Sequence, residues 1–284
     1  MPDAETTAQT DPLVSTDWLA ARLDDPKVRV LDATWFMPAE GRDAHAEHAA
    51  AHIPGAAFFD IDAVADHTTD LPHMLPTPEA FAAAVSAIGV GDDTLVVAYD
   101  DNSLIASARL WWTFRAMGHD AVTVLDGGLR KWRAEGRPLE SGPAAPTTEA
   151  CFTPKSRLEL VRTFEQLLAG TDPVVDARSA ARFLGQAPEP RAGLKSGHMP
   201  GALNVPHSEI LTAEGRLKPS DALAAVFGDA GVPPAGALTT SCGSGVTASG
   251  LALALARLGR WDVAVYDGSW SEWGGRADAP VVTG

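Results

Sequence analysis

Residues Ala237-Leu238-Thr239-Thr240-Ser241-Cys242-Gly243-Ser244-Gly245-Val246-Thr247-Ala248 decide how the chain is read. The run from Ala237 to Thr240 reads as a short buried strand, and the Ala/Leu-rich run from Ala248 to Leu258 reads as a helix. A cysteine therefore stands at the C-terminal end of a strand, in a glycine-rich loop, just ahead of a helix N-terminus. Successive amides in such a loop can all point inward and form an anion-binding nest. The helix start adds unpaired N–H groups and a partial positive charge. Both favour an anion, and the thiolate is the reactive form of cysteine. A free cysteine is more often a buried structural residue, but two glycines and two hydroxyls crowded around Cys242 favour a nucleophile.

Working outward, the same unit occurs twice. His52-Ile53-Pro54-Gly55-Ala56 returns 146 residues later as His198-Met199-Pro200-Gly201-Ala202. Ala106-Ser107 returns after 142 residues as Ala248-Ser249, and Leu125-Asp126-Gly127-Gly128 after 141 as Tyr266-Asp267-Gly268-Ser269. Strand-like runs stand at 28–32, 94–99 and 121–125 in the first half and at 173–176, 203–205, 237–240 and 262–266 in the second. Helical runs are expected at 41–51, 78–88 and 103–117, and again at 160–169 and 220–227. Strands alternating with helices predict an α/β fold: two tandem domains, each a mainly parallel sheet flanked by helices, with sites at the strands' C-terminal ends. The expected division is a disordered tail over 1–12, a first domain over 13–140, a linker over 141–158 and a second domain over 159–284. Asp100 stands where the second copy has Cys242, so only the second copy can do cysteine chemistry.

Composition narrows the partners. Of 284 residues 45% are hydrophobic and 21% charged, which describes a globular chain, and a net charge of −15 argues against nucleic-acid or membrane-surface binding. The two cysteines, Cys151 and Cys242, and eight scattered histidines have no zinc-ligand spacing, so no metal is expected. Cys151 lies in the polar linker and Cys242 in a tight loop, so no disulfide between them is expected. An acidic, polar N-terminus without a basic or apolar leader predicts a cytoplasmic protein.

The duplicated unit, His-(Ile/Met)-Pro-Gly-Ala in each half, Asp-Gly-(Gly/Ser) near each end and Cys242-Gly243-Ser244-Gly245-Val246-Thr247 together resemble the two-domain rhodanese family of sulfurtransferases, from about Asp11 to Trp273. Within that family the loop is similar to that of the 3-mercaptopyruvate sulfurtransferases. Thiosulfate-using members typically carry Arg-Lys where this chain has Gly243-Ser244. Thiosulfate holds its charge close to the attacked sulfur, where loop cations help. Mercaptopyruvate holds its charge on a carboxylate a few bonds away, better met by a forked arginine.

The resemblance implies a Cys242 persulfide that carries sulfur from 3-mercaptopyruvate to a thiol, thioredoxin-like or cyanide acceptor, releasing pyruvate without a metal or organic cofactor. It implies anion contacts at Gly243, Gly245, Val246 and Thr247, and substrate carboxylate and keto-oxygen contacts at Arg182 and Arg191. On the residues alone these arginines read first as solvated loop residues. It also implies an Asp62, His73 and Ser244 relay, with the site between the domains, although alone Asp62 reads as a cap and His73 as a half-exposed loop residue. Rival readings are a thiosulfate sulfurtransferase on the same cysteine and a persulfide carrier without small-molecule turnover. A dual-specificity phosphatase needs Cys-x5-Arg, and Ala248 stands at that position. A cysteine protease needs an imidazole and oxyanion pocket that nothing in the sequence places beside Cys242.

Overall fold

The computed structural model describes residues 11–143, 150–170 and 172–284. Residues 1–10, most of the expected tail, and 144–149, the middle of the expected linker, lie outside the described residues. Among the described residues, ten strands form two sheets. β1 (Leu13–Val14), β2 (Val28–Asp32), β3 (Ala57–Phe58), β4 (Leu95–Tyr99) and β5 (Val122–Leu125) make the first. β6 (Val161–Arg162), β7 (Val174–Asp176), β8 (Leu203–Asn204), β9 (Thr239–Ser241) and β10 (Ala264–Tyr266) make the second. The orders are β1-β5-β4-β2-β3 and β6-β10-β9-β7-β8, the same order twice, and every pairing is parallel. The internal repeat is thus a repeat of topology. In each sheet the chain order reverses beside the fourth strand, between β2 and β4 and between β7 and β9. The C-terminal ends of strands at such a switch point leave a crevice for ligands. Asp100 follows β4 and Cys242 follows β9 at those places.

Local chemistry explains where elements begin later than expected. The helix Ala44–Ala50 starts at its Asp43 cap, whose carboxylate accepts the Ala46 amide, rather than at Gly41. The helix Ala106–Ala116 starts three residues late because Ser103 and Leu104 take left-handed φ values of 68° and 62°. The run expected as one helix from Leu160 splits: Val161–Arg162 pairs with β10, and Thr163 with Gln166 forms a capping box that opens the helix Phe164–Ala169.

The helices Ala106–Ala116 and Val246–Arg257 pack against each other and join the two halves. Trp111 and Phe114 from the first share one apolar cluster with Leu251 and Leu255 from the second. Complete burial of each such side chain contributes about 1.5–3 kcal/mol. The Arg115 guanidinium lies 5.1 Å from the ring centres of both Trp111 and Trp261, bridging the halves over aromatic faces. No helix among the described residues is long and apolar enough to cross a membrane.

Candidate active site

The two switch-point loops hold the same backbone device in two conditions. In the first, Asp100 turns its own carboxylate into the loop. Oδ1 accepts the amides of Asn102 and Leu104 at 3.2 and 3.1 Å, and Oδ2 accepts the Ser107 amide and hydroxyl at 2.9 and 2.7 Å. Burial pushes this carboxyl above its ordinary range, and the four donors act in the opposite sense. In the second, Cys242 replaces Asp100. The helix Val246–Arg257 begins behind Gly245, at φ +76°, without a side-chain cap. Helices that begin behind Ser15, Asp43, Thr77 and Thr163 all use those side chains as caps. Among the described residues, the amides of Gly243, Ser244, Val246 and Thr247 donate to no protein acceptor. Cys242 itself is buried, and both cysteines are free.

Ser269 holds the cysteine loop from behind. Its Oγ accepts the amides of Cys242 and Gly245 at 3.1 and 3.0 Å, donates to the Tyr266 carbonyl at 2.8 Å, and lies 4.0 Å from Cys242 Sγ. The Gly245 amide is therefore engaged by Ser269, and Gly245 serves the loop by its conformation. A Cβ on Gly245 would lie 2.9 Å from both Arg109 Nη1 and the Asp267 carbonyl oxygen. Ser269 sits at φ +48°, where its counterpart in the first copy is Gly128 at +54°. A side chain in that region costs about 1–2 kcal/mol, and the two accepted amides offset it.

A buried ionic chain forms one wall. Arg178 bonds Asp176 and Glu189, and Glu189 in turn holds Arg182. Arg182 Nη2 lies 3.3 Å from where a Cβ would stand on Gly243, so a larger residue there would press on the guanidinium. Arg191 is half-buried and has no ion pair among the described residues. Burial lowers its pKa, the field of Cys242 opposes that, and Arg182, Asp62 and Glu189 also act on it. These two arginines are thus not freely solvated loop residues.

The first copy brings a carboxylate, Asp62, whose charge acts on Arg191. Asp62 Oδ1 lies 2.5 Å from His73 Nδ1, and Asp62 Oδ2 accepts the Trp35 indole N–H at 2.7 Å. Burial pushes Asp62 up, but His73, the Trp35 bond and Arg191 outweigh it and hold the carboxyl below its ordinary value. The local turn is capped by Asp60, which accepts the amides of Asp62 and Ala63. His73 is buried rather than half-exposed, at φ +60°, with its ring nearly perpendicular to that of Trp35, centroids 4.8 Å apart. Ser244 is buried in the cysteine loop, and no hydrogen bond joins it to His73 among the described residues. Sequence reasoning overlooked Glu189, Trp35, Arg109, Asp267 and Ser269. Only Ser269 carried a signal, as the place where the repeat changes from Asp-Gly-Gly to Asp-Gly-Ser.

The profile of the Rhodanese-like domain matches residues 15–135 and 160–276. The 3-mercaptopyruvate sulfurtransferase of Escherichia coli (strain K12) is 46% identical over 275 residues, spanning 94% of this chain and 96% of that protein. The rat thiosulfate sulfurtransferase is 44% identical over 276 residues, spanning 93% and 92%. The crystal structure of SseA, a 3-mercaptopyruvate sulfotransferase from Escherichia coli, superposes with a TM-score of 0.83 at 42% identity, covering 92% of this chain and 100% of that one.

Proposed function

Because the chain belongs to the rhodanese family and is a sulfurtransferase with two rhodanese-like domains, we propose that it takes sulfur from 3-mercaptopyruvate as a Cys242 persulfide and releases pyruvate. The observation that carries this is the Cys242 loop, which holds no cationic side chain and whose amides of Gly243, Ser244, Val246 and Thr247 meet no protein acceptor among the described residues, beside a half-buried Arg191 that makes no ion pair among them. A donor whose charge lies on a carboxylate a few bonds from its sulfur suits that arrangement.

The donor carboxylate and keto oxygen dock on Arg191 and on Arg182, which Glu189 holds in place. The Cys242 thiolate attacks the donor sulfur, forming the S–S bond as the C–S bond breaks. The C–S electron pair goes to carbon and is held as the enolate. Loop amides of Gly243, Val246 and Thr247 stabilise the sulfur anion. Ser244, or a water it holds, returns a proton to the enolate carbon, and His73 oriented by Asp62 replenishes that proton. An acceptor thiolate, thioredoxin-like or low-molecular-weight, or cyanide then attacks the outer sulfur and restores the Cys242 thiolate. The first unit, 13–140, contributes Asp62 and His73, and the second, 159–284, the nucleophile. Two free cysteines suit a reducing, cytoplasmic setting.

A second reading, thiosulfate as donor, draws on the rat thiosulfate sulfurtransferase as a relative and on the same half-buried arginine. Steady-state rates with the two donors under one acceptor test both. A mercaptopyruvate preference that is lost in Cys242→Ser supports the proposal, and a thiosulfate preference overturns the donor assignment. His73→Ala lowers the mercaptopyruvate rate far more than the thiosulfate rate if His73 serves enolate protonation. Equal losses make His73 structural.

A further inference from the structure

We propose that Arg109 is a positioning residue for the mercaptopyruvate step: it presents His73 to the cysteine loop and is locked in place by Asp267. This rests on the reading of His73 given above. Arg109 lies on the helix Ala106–Ala116 of the first domain and is 3% exposed. Its Nη1 bonds Asp267 Oδ1 in the second domain, its Nη2 donates to the His73 carbonyl, and its guanidinium stacks 4.5 Å from the Trp112 ring centre. Asp267, also 3% exposed, uses its other oxygen to accept the Leu75 amide at 2.6 Å. His73 is thus gripped on its own carbonyl by Arg109 and two residues on by Asp267, across 36 and 192 residues of sequence. These two bonds hold the peptide units that follow His73. Its left-handed φ of +60° is a conformation that non-glycine residues keep only where their surroundings over-determine it.

The same pair touches the cysteine loop. Arg109 Nη1 and the Asp267 carbonyl border the bare Cα of Gly245. Two residues after Asp267, Ser269 accepts the Cys242 and Gly245 amides. The ion pair therefore lies between the histidine segment, which it holds, and the cysteine loop, which Ser269 holds. Cohesion of the halves does not account for it. The apolar contact between the helices Ala106–Ala116 and Val246–Arg257 already joins them. A buried ion pair adds little stability over apolar residues of the same volume. What an arginine adds is a planar fork whose two arms reach two fixed acceptors.

The test uses the purified full-length protein with cyanide as acceptor. Arg109→Lys keeps the charge but loses the fork, and Asp267→Asn keeps the shape but loses the charge. Each lowers kcat/KM for mercaptopyruvate about tenfold and lowers the thiosulfate rate less than twofold. Combining Arg109→Lys with His73→Ala costs less than a further twofold on mercaptopyruvate, because both act through one side chain. Equal losses for both donors, or losses that multiply in the double variant, make Arg109 a structural staple and overturn the proposal. A His73→Ala variant that affects both donors equally removes the His73 role and this proposal together. A donor-selective His73→Ala beside an unselective Arg109→Lys removes this proposal alone. Where Arg109→Lys fails to fold by circular dichroism, Asp267→Asn decides; if neither folds, the pair is a folding element and the proposal fails.

Discussion

Acid should loosen this protein through one histidine at the junction of its halves. His207 follows β8, and its Nε2 is sealed from solvent without a hydrogen-bond partner among the described residues, although other atoms of the residue reach the surface. A Cβ on Gly250 would lie 2.8 Å from that nitrogen, which shows how closely the helix Val246–Arg257 covers the ring. Burial pushes the imidazole down to about 4 from an ordinary 6.5, only partly opposed by the Leu104 carbonyl of the first domain. Above pH 6.5 both folded and unfolded chains keep this ring neutral and nothing is lost. As pH falls below 6.5 the unfolded chain takes the proton first. Stability therefore drains between 6.5 and about 4 and levels off below. At about 1.4 kcal/mol per unit the full loss is about 3 kcal/mol, a sizeable part of the ~5–15 kcal/mol typical of a folded domain. The assay is urea unfolding of wild type and His207→Gln, followed by two spectroscopic probes, between about pH 7.5 and pH 4.5. Asp100, Asp176 and His119 also have shifted pKa values, but they titrate alike in both proteins and cancel in the difference. Asp62 is held below its ordinary value, so its contribution is lost only under stronger acid. The gap between the two proteins should change by about 2–3 kcal/mol over this range. Parallel curves would refute the reasoning.

Three further outcomes follow from the site. Arg191→Lys should raise KM for mercaptopyruvate roughly tenfold while kcat holds, since a forked contact to a carboxylate is replaced by a point charge; a fall in kcat at constant KM would contradict a binding role. Ser269→Gly should change stability by less than about 1 kcal/mol, because relief of the left-handed strain offsets the lost hydroxyl. It should nonetheless lower turnover with both donors about tenfold by releasing the loop, and unaltered turnover would remove Ser269 from the loop's support. Asp100→Ala leaves buried donors without an acceptor and should cost about 2–4 kcal/mol in chemical denaturation, with sulfur transfer retained at room temperature.

The repeat, the parallel α/β organisation and the placement of Cys242 were legible because they rest on motifs and on runs long enough to show a period. The edge strands β1 and β6 were not, because two residues each carry no period at all. The opening of the helix at Phe164 was readable in principle from the Thr163 and Gln166 capping box, but the apolar run before it masked the signal. Arg182 and Arg191 could be named only through the resemblance. Glu189, which orients one of them, sits between two prolines and reads as a turn. Arg109 was hidden more deeply. It lies in a helix whose every residue is buried, and its partner Asp267 is 158 residues away, a distance that no local pattern spans.

Asp100 has a consequence for how the two copies share their work. Its carboxylate is a tethered ligand, present at an effective concentration that no solute can match. The first loop is therefore saturated for the lifetime of the fold and excludes sulfur donors by competition as well as by lacking a thiol. In the second loop the amides of Ser244 and Val246, at the places of Asn102 and Leu104, meet no protein acceptor among the described residues, so an anion held there must arrive by diffusion and depart again. Permanence in one copy and exchange in the other divide cohesion from turnover between two versions of a single backbone turn.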